Sequence, residues 1–104
     1  VPFVCWAIPL FQAAHFDGSR NFVCIMGGHR RYLLARPRNC AHLHLYPKGH
    51  PSGRHSEVDW SAPSEEINAK YPDFRQASVN EVLLEAGDFM YLPSGWIHYV
   101  MSLN

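Results

Sequence analysis

The fold is decided by residues 87–100, GDFMYLPSGWIHYV. Two short apolar and aromatic runs, 89–92 and 96–101, are separated by the turn signal Pro93-Ser94-Gly95. A second turn signal, Ala86-Gly87-Asp88, precedes them. Side chains of a strand alternate between its faces. In the second run, Trp96, His98 and Val100 therefore share one face, and Ile97, Tyr99 and Met101 share the other.

Strand signals also dominate the rest of the chain. They cover residues 3–8, 13–17, 21–26, 30–35 and 79–84. Gly27-Gly28 predicts a hairpin turn, and residues 36–58 predict an excursion with one short strand. The only helix that the sequence predicts covers 63–70, with Ser61 as its N-cap. Many short strands with Gly and Pro turns predict an all-β sandwich or barrel, in which a jelly-roll connection brings distant strands together.

Composition limits the classes of function. The 104 residues suit one small domain, and nine basic residues balance nine acidic ones at a pI of about 7.2. Bulk charge therefore gives no argument for a nucleic acid or membrane partner, and we expect neither, although the sequence leaves room for a local basic patch around Arg30, Arg31, Arg36 and Arg38. Three widely spaced cysteines are typical of reduced thiols in an intracellular protein. The chain starts without methionine and stops inside an apolar run, so we expect a piece of a longer protein.

The strongest chemical signal is His15-Phe16-Asp17, together with the distant His98. Residues 15 and 17 of an extended segment point to the same face, so one imidazole and one carboxylate would stand side by side. A second imidazole from a neighbouring strand completes a facial set of three ligands. Such a set suits non-haem Fe(II), because it leaves coordination positions open for other reactants.

Motifs along almost the whole chain carry a resemblance to a known family. They are AHFD (14–17), NF (21–22), GHRRYLL (28–34), LYP (45–47), HP (50–51), RHSEVD (54–59), YPDF (71–74) and the 87–100 stretch. In this order they resemble the JmjC/cupin-8 group of Fe(II)- and 2-oxoglutarate-dependent oxygenases, with the asparaginyl-hydroxylase-like branch closest. The resemblance implies a double-stranded β-helix (a jelly-roll or cupin fold) with one short helix in an insertion. It also implies that residues 1–104 form a single domain that lacks the last core strand and the flanking helices.

The resemblance also assigns roles to individual residues. His15, Asp17 and His98 would bind Fe(II) and form the catalytic centre, while Asn21, Arg30 and Gln12 would contact the co-substrate 2-oxoglutarate. Arg30 stands where the family usually has a lysine that binds the distal carboxylate, and a guanidinium can bind a carboxylate through two hydrogen bonds. Gln12 stands where the family commonly has a threonine.

The implied reaction is hydroxylation of a protein side chain with 2-oxoglutarate and O₂ as co-substrates. Three alternatives stay open: a catalytically inactive jelly roll that serves as a binding or scaffold module, a JmjC-type demethylase, and an RNA hydroxylase. A rival zinc or copper site, Cys40, His42 and His44, would require these residues to share one face of a strand. The sequence does not specify the oligomeric state.

Overall fold

The computed structural model describes residues 14–103, which form two antiparallel β-sheets and a helical excursion over residues 36–78, longer than the predicted 36–58. The strands are β1 (Asn21–Cys24), β2 (His29–Ala35), β3 (Val79–Glu85), β4 (Phe89–Leu92) and β5 (Ile97–Ser102). Helix α1 spans Ser64–Lys70, and 3₁₀ helices cover Pro37–His42 and Phe74–Gln76. The mainly β architecture with one short α-helix is as predicted. The predicted strand at 3–8 lies outside the described residues. Within residues 14–103, no helix is long and apolar enough to cross a membrane.

The larger sheet is organised around β2, which pairs with β3 on one side and with β5 on the other. In the β2–β5 register, Leu34 lies opposite His98 and Tyr32 lies opposite Val100. Because paired residues share a face of the sheet, these four side chains lie on the same side. The register of β5 on β2 therefore fixes the face on which His98 appears.

The smaller sheet pairs β1 with β4, so Gly27-Gly28 does not form the hairpin that the sequence predicts. The chain passes from one sheet to the other through Gly28, whose φ of 71° is in the left-handed region. Both edges of β2 are occupied by β3 and β5, and β1 pairs with β4 instead. Two further bonds extend that pairing: the Ile25 N–H donates to the Asp88 carbonyl (3.0 Å), and the Gly87 N–H donates to the Ile25 carbonyl (2.8 Å).

Each face of the larger sheet buries its own apolar cluster. The cluster between the two sheets contains Ile25, Tyr32, Leu34, Leu84 and Leu92. The cluster on the opposite face lies beneath the excursion and contains Ala14, Ala35, Leu43, Val58, Trp60 and Ile97. Alternation along β2 explains the division, because Tyr32 and Leu34 enter one cluster and Ala35 enters the other. The central sheet is thus covered on both sides.

The excursion differs from its prediction in two further details. Instead of the predicted short strand, it contains a single antiparallel bridge between Leu45 and Ser56. Helix α1 begins after Pro63, which occupies the N-cap position without a side-chain hydrogen bond. Ser61 does not cap the helix, because its hydroxyl donates to Asp59 Oδ1 (2.5 Å) in a local turn.

Ser56 is the polar centre of the cluster beneath the excursion. Its side chain is buried, with 3% of the residue exposed. The Oγ donates to the Leu43 carbonyl (2.6 Å) and accepts from the Val58 N–H (3.1 Å) and from Trp60 Nε1 (3.3 Å). Its own N–H donates to the Ala14 carbonyl (2.7 Å), next to His15. The hydroxyl of Ser56 therefore satisfies three buried groups, and its backbone N–H joins the excursion to the segment that carries the first candidate ligands.

We expect Ser56→Ala to lower the free energy of unfolding by about 2–4 kcal/mol, because it leaves several buried polar groups without a partner. Urea unfolding followed by tryptophan fluorescence measures the loss. The matched control is Ser61→Ala, which removes an exposed hydroxyl and should cost less than about 0.5 kcal/mol. Equal losses in the two variants would contradict the role assigned to Ser56.

Asp73 ties the two ends of the excursion together. Its Oδ1 lies 2.7 Å from His44 Nε2, and its Oδ2 lies 3.7 Å from His42 Nδ1. His44 has a φ of 51°, a conformation that is uncommon for a residue with a side chain, and its ring lies 4.7 Å from the Tyr71 ring. The hydrogen bond from His44 lowers the pKa of the Asp73 carboxyl below its usual value.

The lowered pKa of Asp73 predicts a pH dependence of stability with a definite sign. A carboxyl whose folded-state pKa is depressed stabilises the fold above its unfolded pKa of about 3.9 and loses that contribution as the pH falls further. We expect Asp73→Asn to remove part of the decline in the unfolding midpoint below about pH 4. Thermal unfolding of both proteins between neutral and acidic pH tests this. Parallel curves over the whole range would show that the carboxylate contributes nothing.

Candidate metal centre

His15 and His98 are brought together by their backbones. The His98 N–H donates to the His15 carbonyl (2.8 Å), and the His15 N–H donates to the His98 carbonyl (3.1 Å). This reciprocal pair is one rung of an antiparallel ladder, and it places the two side chains on the same face. The two imidazole ring centroids lie 4.4 Å apart. Residues distant in the chain thus become immediate neighbours through backbone pairing.

Asp17 joins the two histidines as the extended-strand argument predicts. Its Oδ1 lies 3.9 Å from His15 Nε2, and its Oδ2 lies 3.7 Å from His98 Nε2. All three residues offer a ligand atom within 4.8 Å of the others. The 3.7 and 3.9 Å separations are too long for hydrogen bonds, but they are shorter than two metal–nitrogen bonds of about 2.1 Å placed end to end. Among residues 14–103, this is the group that could hold a metal ion.

The environment of His98 prepares it to act as a ligand. Its Nδ1 lies 3.2 Å from the Trp96 carbonyl, which fixes the ring and leaves Nε2 directed at Asp17. Burial, together with the neighbouring His15, lowers the pKa of His98, and only 8% of its side chain is exposed. A metal-binding histidine must be neutral, so the site favours the required protonation state.

The Asp17 carboxylate is held from two sides. Asn21 Nδ2 donates to Oδ2 (3.4 Å), and Arg54 Nη1 lies 3.6 Å from Oδ1. The Asp17 carbonyl accepts from the Gly95 N–H (3.0 Å), which attaches it to the turn before β5. The donor set of two imidazoles and one carboxylate, with Asp17 partly open to solvent, fits a divalent metal of the Fe(II) type.

The residues predicted to contact 2-oxoglutarate have different outcomes. Asn21 lies beside the candidate metal centre, where its side-chain amide donates to Asp17 Oδ2 and so helps to orient that carboxylate. Arg30 belongs to β2 and lies on the same face as Tyr32. Burial raises the pKa of Tyr32, and the positive charge of Arg30 offsets part of that increase. Arg30 Nη1 donates to the His29 carbonyl (3.1 Å). Gln12 lies outside the described residues, so its role stays a prediction.

Two further residues, Arg54 and His55, lie next to the H-x-D segment, although the sequence patterns did not indicate either of them as a site residue. Arg54 has a φ of 75°, and its carbonyl accepts from the Phe16 N–H (3.0 Å), between the two ligands of the H-x-D motif. His55 forms a bridge with His15, and the two rings lie 5.2 Å apart. Both belong to the RHSEVD motif, but their approach to residues 15–17 depends on long-range pairing, which no local pattern reveals.

The rival site at Cys40, His42 and His44 does not have the required geometry. Cys40 and His42 lie in the 3₁₀ helix, and His44 follows it with a left-handed backbone, so the three side chains do not share the face of a strand. His42 and His44 contact Asp73 instead. The interpretation of these residues as a strand-based metal site is therefore wrong.

Comparison with known proteins agrees with the architecture. Residues 9–104 match the family described as Cupin-like domain. The chain is 38% identical over 89 residues to tRNA wybutosine-synthesizing protein 5 of Gallus gallus, covering 85% of this chain and 25% of that protein. It is 33% identical over 92 residues to lysine-specific demethylase 8 of Xenopus tropicalis, covering 86% of this chain and 19% of that protein.

A third relative is JmjC domain-containing protein D of Dictyostelium discoideum, 29% identical over 90 residues, with 86% of this chain and 19% of that protein covered. The chain spans about a quarter of the length of the first curated relatives it matches. The family match covers most of the sequence and confirms the predicted cupin fold. The chain belongs to the family of Cupin-like domains, and its relatives identify it as a domain of the JmjC type.

Proposed function

We propose that this chain carries the metal centre of an Fe(II)- and 2-oxoglutarate-dependent oxygenase. The observation that carries the proposal is the convergence of His15, Asp17 and His98 on one side of a β-sheet. Membership in the cupin-like family and the JmjC-type relatives support it. Bound Fe(II) would, with 2-oxoglutarate and O₂, supply the oxidation that hydroxylates a substrate C–H bond and releases succinate and CO₂.

The inner face of β2 and β5 carries both the candidate metal ligand His98 and Arg30. His98 lies opposite Leu34 at one end of this face, and Arg30 lies opposite Ser102 at the other. The Leu34–His98 pair and the Arg30–Ser102 pair are four residues apart along the strands, so their backbones are separated by about 13 Å. A dicarboxylic acid together with the long arginine side chain can bridge much of that length. We therefore assign Arg30 to the distal carboxylate of 2-oxoglutarate, which a guanidinium binds through two parallel hydrogen bonds.

The protein residues contribute orientation. The Trp96 carbonyl orients the His98 ring, and Asn21 and Arg54 orient the Asp17 carboxylate, so two of the three ligand residues are held by contacts with their neighbours. Tyr32 lies on the same face of β2, between Leu34 and Arg30, and burial raises the pKa of its phenol above its usual value. A preformed set of ligands lowers the reorganisation that metal and co-substrate binding require.

Two substrate classes are compatible with this centre. The sequence resemblance favours a protein side chain, and relatives named lysine-specific demethylases are consistent with a protein substrate. Relatives named tRNA wybutosine-synthesizing protein 5, at up to 38% identity, favour RNA as the second candidate. In either case the ligands and Arg30 would perform the same tasks, because the oxidation depends on metal and co-substrate and not on the substrate class.

We expect Asp17→Ala to reduce Fe(II)-dependent conversion of 2-oxoglutarate to succinate by at least about 100-fold, because a first ligand is lost. Metal binding, measured by calorimetry with Mn(II) as a redox-stable probe, should weaken in parallel. The Asp17 side chain is about one-third exposed, so the thermal unfolding midpoint should change little. The control is Glu65→Ala, an exposed carboxylate of α1. Wild-type protein that binds no metal would favour the inactive scaffold module instead.

We expect Arg30→Ala to raise the KM for 2-oxoglutarate by about 10- to 100-fold, the effect of losing a hydrogen bond to a charged group. Arg30→Lys should retain most of the affinity, because it keeps the positive charge. The matched control is Arg31→Ala. Arg31 neighbours Arg30 on the opposite face of β2 and pairs with Glu81 (2.6 Å). If Arg30→Ala and Arg31→Ala give the same KM, Arg30 is not the anchor.

A further inference from the structure

An open groove of about 650 Å³ lies beside the metal centre, within the size range of small-ligand sites. Its walls come from the H-x-D segment and from the loop at residues 45–54. The groove is lined by aromatic and basic side chains, chiefly Phe16, Tyr46, Lys48, His50 and Arg54. Because alternate residues of an extended segment face opposite ways, Phe16 lines the groove while its neighbours His15 and Asp17 face the metal centre.

The charge of the groove differs from that of the whole chain. Lys48 and Arg54 contribute two cations, and none of the described residues that line the groove is acidic. A smaller cavity of about 320 Å³, under Trp60 and Tyr99, includes Glu57 and Asp59 in its lining. A molecule with anionic groups is therefore complementary to the larger groove and not to the smaller cavity.

Aromatic rings give the groove a second recognition element. The Tyr46 and His50 rings are stacked, with centroids 4.6 Å apart and planes inclined by 16°. Phe16 adds a third ring to the lining of the groove. Stacked aromatic rings beside cations are the combination on which single-stranded nucleic acids bind, because every base has a flat face and every nucleotide has a phosphate. An acidic peptide would use the cations but not the rings.

The loop that forms the groove is held in shape by its own backbone. The His50 N–H donates to the Pro47 carbonyl (3.0 Å), and the Gly53 N–H donates to the His50 carbonyl (2.8 Å). Tyr46 is fixed through its N–H, which donates to the His55 carbonyl (2.9 Å). Because this loop is already ordered, binding a substrate would cost little conformational entropy.

Arg54 connects the groove with the metal centre. Its side chain lines the groove and also approaches Asp17, with 3.6 Å between Nη1 and Oδ1. The backbone of Arg54 has a φ of 75°, a strained conformation for a residue with a side chain, and such strain concentrates at functional sites. A molecule bound in the groove would therefore share the Arg54 side chain with the Asp17 carboxylate.

From these contacts we propose that the groove anchors one nucleotide of a single-stranded nucleic acid substrate, with a base on the Tyr46–His50 stack and phosphate near Lys48 and Arg54. The proposal rests on the proposed oxygenase function and names its substrate class. It departs from the expectation that bulk charge gives, because the groove concentrates basic and aromatic residues that the net charge of zero conceals. The groove lies beside the centre, so the anchored nucleotide is a neighbour of the one that reacts.

The test is fluorescence anisotropy with labelled single-stranded RNA and DNA of about eight nucleotides, and with a poly-glutamate peptide of equal length. Tyr46→Leu keeps an apolar side chain but removes the ring, and it should weaken oligonucleotide binding about tenfold. Lys48→Ala should lower the slope of log affinity against log salt concentration by about one. The matched control Arg75→Ala removes an exposed charge from the 3₁₀ helix at Phe74–Gln76 and should change neither quantity.

Binding of RNA or DNA that depends on both Tyr46 and Lys48 supports the proposal, and a preference for RNA would indicate contact with the 2′-hydroxyl. Oligonucleotide binding equal in all variants, or poly-glutamate binding tighter than either oligonucleotide, would overturn it. Lys48 is exposed, so its variant reports on the groove even if Tyr46→Leu destabilises the loop. The titration needs neither Fe(II) nor 2-oxoglutarate. A failure to bind therefore leaves the oxygenase proposal intact, and an absence of succinate formation leaves the binding result intact.

Discussion

The candidate site depends on one pair of backbone hydrogen bonds, those that His15 and His98 exchange. Each bond is short and joins peptide groups, so it survives changes in side-chain protonation that would disrupt an ion pair. Through this rung the H-x-D segment is attached to β5, and through β5 it is attached to the central strand β2. A residue in the turn before β5 makes a second attachment, because the Gly95 N–H donates to the Asp17 carbonyl. The two histidines and the carboxylate therefore stand on connected backbone, which is a stronger constraint than any contact among the three side chains.

The register of β5 on β2 determines both which residues are buried in the core and where His98 lies. A shift of β5 by one residue along β2 would turn His98 into the cluster beneath the excursion and would remove Ile97, which is 1% exposed in the structure, from its packing in that cluster. Burial of Ile97 against Ala35 and Trp60 thus opposes every register that would remove His98 from the site. Apolar burial on one face of the sheet in this way fixes the position of a ligand on the other face. Ser56 contributes to the same end, since it joins the excursion that covers Ile97 to the residue before His15.

Local patterns in the sequence predicted where the strands and the helix lie, but they predicted less well which strands pair with each other. Turn signals and alternation located all five strands of the described residues to within about two residues at either end, and the i, i+2 spacing of His15 and Asp17 predicted their shared face. The partner of β1 could not be predicted, because Gly27-Gly28 specifies a change of direction but not which strand edge is vacant. The contact of Asn21 with Asp17 and the proximity of Arg54 also depend on packing between distant segments. Spacing in the chain reports on neighbours along a strand, whereas these contacts cross between strands and loops.

Arg54 makes the metal centre and the groove electrostatically dependent on each other. Its guanidinium lies beside Asp17 at 3.6 Å, where it is the cation nearest to that carboxylate among the ion pairs of the described residues. A divalent metal at the three ligands would compete for the same carboxylate charge and would free the guanidinium for an anion in the groove. Conversely, a phosphate that draws Arg54 away would leave Asp17 more available to the metal. Linkage requires the two effects to be equal in free energy, so metal and substrate would each strengthen the binding of the other. In that arrangement the strained backbone at Arg54 has a physical role, because it holds one side chain within reach of both sites.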